Sequence, residues 1–61
     1  MPLVHITLIE GRTTEQKRQA AKKITEAIVE TLNCPVDAVK IAFHDISQGD
    51  YASGGILRID Q

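Results

Sequence analysis

Sixty-one residues with a single cysteine, Cys34, are too few to enclose a full hydrophobic core, and no disulfide can make up the difference. A domain of this length buries only about 60% of the surface its unfolded chain exposes. Small folds of this kind draw their remaining stability from disulfides, a metal or other subunits. His5, His44 and Cys34 are scattered without ligand spacing, so no metal site is expected. Association with further copies of the chain is what remains, and a homo-oligomer of a single domain spanning residues 1–61 is the expectation.

Charge narrows the partners. Seven Lys and Arg against eight Asp and Glu leave a net charge of -1, whereas a nucleic-acid binder is normally far more basic. No run approaches the roughly 18 apolar residues of a membrane span, and no charged region followed by an apolar run marks a secretory leader. A cytoplasmic location is therefore expected, which suits one unpaired cysteine. Cys34 itself reads as a small buried apolar thiol.

Leu3-Val4-His5-Ile6-Thr7-Leu8-Ile9 is rich in β-branched residues and predicts a strand. Its even positions, Val4, Ile6 and Leu8, are apolar throughout, and its odd positions are mixed. Because successive side chains point to opposite faces, both faces seek cover, and a partner subunit suits the second. After the turn Glu10-Gly11-Arg12, Thr13-Thr14-Glu15-Gln16 has the form of a capping box with Thr13 as N-cap. A helix over 14–32 follows, with Ala20, Ala21, Ile24, Ala27, Ile28, Thr31 and Leu32 as its apolar stripe. Arg18, Gln19, Lys22, Glu26 and Glu30 fall opposite, with Lys22 and Glu26 spaced to pair. Asn33 suits a left-handed C-terminal cap, and Pro35 stops the helix.

A second strand is predicted over 39–44, with Val39, Ile41 and Phe43 on its core face and His44 on the same sheet face as His5. Strand, helix and strand make a β-α-β unit of the α/β (α+β) class with parallel strands and a right-handed crossover. After the loop at 47–50, Ala52-Ser53-Gly54-Gly55 predicts a turn into a short last strand over 56–59, giving a C-terminal hairpin or strand.

No serine-histidine-aspartate set, phosphate-cradling loop or metal cluster is present. The unusual feature is Met1-Pro2 leading straight into an apolar strand. A small second residue permits removal of the initiator methionine, which leaves a secondary amine at the edge of the sheet. A free α-amino group titrates near about 7.7–8.0. Apolar surroundings and nearby cations lower that value, which makes such an amine a good general base. Taken alone, proline at the first position of a strand is ordinary.

Pro2 opening an apolar strand, Leu8-Ile9-Glu10-Gly11-Arg12, Thr14-Glu15-Gln16-Lys17 and the segment from Tyr51 to Gly55 together resemble the 4-oxalocrotonate tautomerase family over nearly the whole chain. The resemblance implies a cofactor-independent isomerase, of a kind met in aromatic degradation, that converts a small enol or dienol 2-hydroxy acid to its 2-oxo isomer. It implies Pro2 as the base, Arg12 as a catalytic arginine and Tyr51 at the position of an aromatic pocket wall. It further implies that the monomers pair into four-stranded sheets and assemble as hexamers (trimers of dimers) or another dimer-based oligomer, with pockets shared between subunits. The chain departs from the pattern at Lys40, where the family has a second arginine. Lysine keeps the charge and loses the bidentate fork, which leaves room for a substrate other than a dicarboxylate. On their own, Lys40 reads equally as a solvated strand charge and Tyr51 as a packing residue.

Two other readings stand beside this one. A hydratase or dehalogenase of the same superfamily would use protonated Pro2 as an acid and need a carboxylate such as Glu10 or Asp50 to activate water. A non-enzymatic oligomeric binding module would use Arg18, Lys22 and Lys23 as a basic helix face, although Glu26 and Glu30 interrupt it.

Overall fold

The computed structural model describes residues 1–61. Strand β1 (Leu3–Ile9) leads into helix α1 (Thr14–Leu32), and strand β2 (Lys40–Ile46) returns beside β1. A hairpin of two short strands, β3 (Ala52–Ser53) and β4 (Ile56–Leu57), closes the chain. One-turn 3-10 segments lie at Val36–Ala38, Gln48–Asp50 and Arg58–Asp60.

β1 and β2 run parallel in a register that sets Leu3 beside Lys40, Ile6 beside Phe43 and Ile9 beside Ile46. The ladder continues past both strand ends, with Lys40 N–H donating to the Pro2 carbonyl at 3.0 Å and Glu10 N–H to the Ile46 carbonyl at 2.9 Å. Proline suits the first position because its missing N–H is not called upon there. Val4, Ile6, Leu8, Ile41 and Phe43 share one sheet face and are half-buried, while Leu3, His5, Thr7 and His44 share the other and are exposed. His5 and His44 stack there with ring centroids 5.6 Å apart.

Helix α1 begins and ends where its caps dictate. The Thr13 hydroxyl accepts from Gln16 N–H at 3.1 Å, and the Gln16 side chain accepts from Thr13 N–H at 2.9 Å. Each such cap stabilises by about 1 kcal/mol. Asn33 takes the left-handed conformation, φ 55°, and its N–H donates to the Val29 carbonyl. A Lys17–Asp45 ion pair of 2.7 Å ties the first half of α1 to the end of β2. Both side chains are partly solvated, so the pair contributes at most about 1 kcal/mol.

Several expectations shift. β2 covers Lys40–Ile46 rather than 39–44, because Val39 N–H turns back to the Val36 carbonyl at 3.2 Å to close the 3-10 turn. β4 ends at Leu57 because the backbone coils again at Arg58–Asp60. Glu26 meets Lys23, at 3.9 Å, and not Lys22. In the helix stripe Ala20, Ala21, Ile24 and Ile28 are half-buried, but Ala27, Thr31 and Leu32 are exposed, since two strands are too narrow to cover a helix of 19 residues. Cys34 is half-buried rather than buried.

None of the 61 residues is fully buried, and Leu3, Leu32, Val36, Ile56 and Ile59 are each more than half exposed. The molecule measures 43 × 23 × 13 Å between Cα extremes, so one helix laid on a two-stranded sheet forms its whole thickness. A protomer of this shape leaves too little apolar area out of water to offset its ordering entropy. Unfolding is therefore expected to depend on protein concentration, with Tm rising as the chain is concentrated. Scanning calorimetry over a hundredfold dilution series checks this, and a Tm independent of concentration contradicts it.

Candidate active site

Pro2 lies half-buried at the head of β1, with Met1 beyond it 94% exposed. The ladder bond from Lys40 N–H fixes the Pro2 backbone beside the start of β2. Lys40 is exposed; its Nζ donates to the Asp37 carbonyl at 3.0 Å and meets no carboxylate. Pro2 and Lys40 thus belong to one corner of the protomer.

Arg12 belongs to the opposite end. β1 has seven residues, and at roughly 3.3 Å per residue it separates Pro2 from Arg12 by more than about 20 Å. Arg12 leaves the strand through Gly11, whose φ of 130° is one that side-chain-bearing residues rarely adopt. That turn sets the guanidinium, free of any ion pair, at a cleft of about 360 Å³ between α1 and β1. Ile6, Leu8, Ala20, Ile24 and Phe43 line its apolar part and Gln16 and Lys17 share the rim with Arg12. Lys17 is occupied by Asp45, so Arg12 is the cation left to an incoming anion. A larger groove of about 540 Å³, between α1 and Val36, is lined by Lys22 of the basic helix face but by none of Pro2, Arg12, Lys40 and Tyr51.

Tyr51 lies on the C-terminal arm, 45% exposed, at the foot of the hairpin. Gly54 and Gly55 both have positive φ, 61° and 83°, as the tight turn between β3 and β4 requires. The Tyr51 carbonyl accepts from Arg58 N–H at 2.7 Å. Arg58 was not among the sequence candidates, because its neighbour across the hairpin is defined only by the register. Asp50, beside Tyr51, has its carboxylate held by the Ser47 hydroxyl at 2.7 Å. Away from this region, Glu15 has its carboxyl pKa lowered by hydrogen bonds from Gln19 and then Arg18. It lies on the solvated face of α1, where it holds Arg18 of the basic helix face and touches none of Pro2, Arg12, Lys40 and Tyr51.

The β-α-β unit with parallel strands matches a known group of proteins. A family model described as tautomerase enzyme matches residues 2–57, and the chain belongs to that family. A probable tautomerase of Streptococcus pneumoniae is 45% identical over 58 residues, covering 95% of this chain and 97% of the relative. One from Lactococcus lactis is 43% identical over 58 residues, 95% of each chain. Among solved structures, a 4-oxalocrotonate tautomerase isozyme from Methylibium petroleiphilum superposes with a TM-score of 0.90 at 37% identity, over 97% of this chain and 95% of its own. A heterohexamer 4-oxalocrotonate tautomerase from Chloroflexus aurantiacus gives 0.92 at 30% identity, over 98% and 97%.

The turn that aims Arg12 is open to a direct test. A Cβ on Gly11 meets nothing within 4 Å, so any cost of Gly11→Ala is backbone strain and not collision. Gly11→Ala is expected to lose about 1–2 kcal/mol in urea unfolding. Gly49→Ala, where φ is ordinary and the nearest atom is 3.8 Å away, is expected to change stability by less than about 0.5 kcal/mol. Equal effects at the two glycines contradict this account of the turn.

Proposed function

We propose that this tautomerase-family protein is a cofactor-independent isomerase that converts a small enol or dienol 2-hydroxy acid to its 2-oxo isomer, with Pro2 as the general base once Met1 is removed. While Met1 is attached, the Pro2 nitrogen is an amide without a basic lone pair. Freed, it is a secondary amine at a partly apolar sheet edge, with the Lys40 backbone bonded to its carbonyl; apolar surroundings and a nearby cation lower an amine pKa. The amine takes the proton of the substrate's hydroxyl, the electron pair delocalises into the conjugated system, and the proton returns at carbon. No electrons are exchanged with a cofactor in that sequence.

Negative charge builds on oxygen in the dienolate, and a fixed cation in a water-poor site stabilises it most. Arg12 supplies that cation with a planar fork suited to a carboxylate. The observation that carries this reading furthest is the separation of Pro2 and Arg12 along β1. Within one protomer they cannot grip one small acid. Antiparallel pairing of β1 with β1 of a second copy sets the head of one strand against the tail of the other, and Pro2 of one protomer then meets Arg12 of its neighbour. The same pairing makes a four-stranded sheet. Lys40 serves as a second, single-point cation and Tyr51 as a wall of the pocket. A hexamer built from such dimers is the proposed assembly; the Chloroflexus aurantiacus relative is a heterohexamer.

Ketonisation of 2-hydroxymuconate and phenylenolpyruvate, followed by ultraviolet absorbance on protein whose mass shows Met1 removed, tests the reading. Pro2→Ala is expected to lower kcat by about 10²–10⁴-fold, and Arg12→Ala by about 10²–10³-fold. Wild-type activity rises with pH through one ionisation below the ordinary α-amino range, because the deprotonated amine is the active form. A Pro2→Ala protein as active as wild type removes the proposed base.

A further inference from the structure

We propose that Arg58, on the C-terminal arm, is a second carboxylate-binding residue of this site and selects an enol dicarboxylate as substrate. The inference rests on the reading above, in which Tyr51 walls the pocket.

The register of the hairpin sets Ala52 opposite Leu57 and Ser53 opposite Ile56. One pair further out, Tyr51 lies opposite Arg58, and the Arg58 N–H to Tyr51 carbonyl bond of 2.7 Å closes that pair. The ladder proper ends at Ala52 and Leu57 and Arg58 opens the following 3-10 turn, so this bond fixes its backbone, not its side chain, beside Tyr51. From that anchor a side chain of arginine's length can reach the surface that Tyr51 borders.

Arg58 is also chemically unoccupied. Its guanidinium has one contact, Nη1 to Gln61 Oε1 at 3.5 Å, longer than the roughly 2.7–3.2 Å of a well-made bond. The carboxylate of Asp50 is held by Ser47, and Asp60 makes no ion pair. Of the three arginines, Arg18 is committed to Glu15 at 2.7 Å, which leaves Arg12 and Arg58 free. Lys40 carries charge without a bidentate fork, so a second planar grip must come from elsewhere if two carboxylates are to be held. Arg58 is the remaining fork. The short ladder of the hairpin, two residue pairs, and the loosely held side chain allow it to settle on a substrate that reaches past Tyr51.

Arg58→Gln and Arg58→Lys, both at an exposed position, are compared with wild type on 2-hydroxymuconate, which has two carboxylates, and phenylenolpyruvate, which has one. Loss of a charge-assisted bond is expected to raise KM for the dicarboxylate about tenfold or more in Arg58→Gln, with kcat little changed and KM for the monocarboxylate unaltered. Arg58→Lys falls between, since it keeps charge without the fork. An unchanged KM for the dicarboxylate, or an equal rise for both acids, overturns the proposal. If wild type turns over neither acid, it is the proposed function that fails. Arg58 is then decided by calorimetric binding of adipate, an unreactive dicarboxylate. Binding weakened about tenfold in Arg58→Gln supports the assignment, and binding unaffected or absent in wild type overturns it.

Discussion

The parallel ladder between β1 and β2, with one amphipathic helix laid across a single face, is all that organises this chain, and it leaves every residue some access to solvent. A sheet of two strands has two free edges and one uncovered face. Leu3 stands 62% exposed on that face, while the backbone of β1 offers unpaired groups along its outer edge. Edges of this kind are templates for another strand. The incompleteness that makes the protomer marginal is thus the same geometry that invites a second copy.

The site inherits this constraint. β1 is long enough to hold Pro2 and Arg12 apart and straight enough to aim them at opposite ends, so neither can complete the other within a protomer. Gly11 at φ 130° turns Arg12 out of the strand, and the ladder bond from Lys40 holds the head of the strand at Pro2. Oligomerisation, on this account, does two things through one contact: it covers apolar surface and assembles a base with a cation. In the proposed site, the arm that carries Tyr51 and Arg58 would add adjustable walls to fixed strand ends.

Much of this was legible in the sequence, for local reasons. The helix limits followed from Thr13 and Gln16 at one end and Asn33 and Pro35 at the other, because caps act within a few residues and need no tertiary partner. Alternation gave β1 its bounds and its two faces. It misled at Val39, where an apolar residue in phase with Ile41 and Phe43 belongs instead to a 3-10 turn, and at Ile59, which coils away beyond Leu57. Pattern does not distinguish an apolar residue in a ladder from one just outside it. Pro2 and Arg12 could be picked out by type and motif, but their separation needed the strand's length in space. Arg58 carried no local signal at all, since its relation to Tyr51 exists only through hairpin register.

The central claim, that the site needs two protomers, is tested most directly by subunit complementation. Pro2→Ala and Arg12→Ala proteins, each strongly impaired alone, are mixed under mild denaturant, reassembled and assayed for ketonisation. In mixed oligomers the Arg12→Ala subunit supplies an intact Pro2 and the Pro2→Ala subunit an intact Arg12, so activity well above that of either parent is predicted to return. If the mixture exchanges subunits, as mass spectrometry of the intact oligomers reports, and stays at the parents' level, the two residues do not act across an interface and the shared site is wrong.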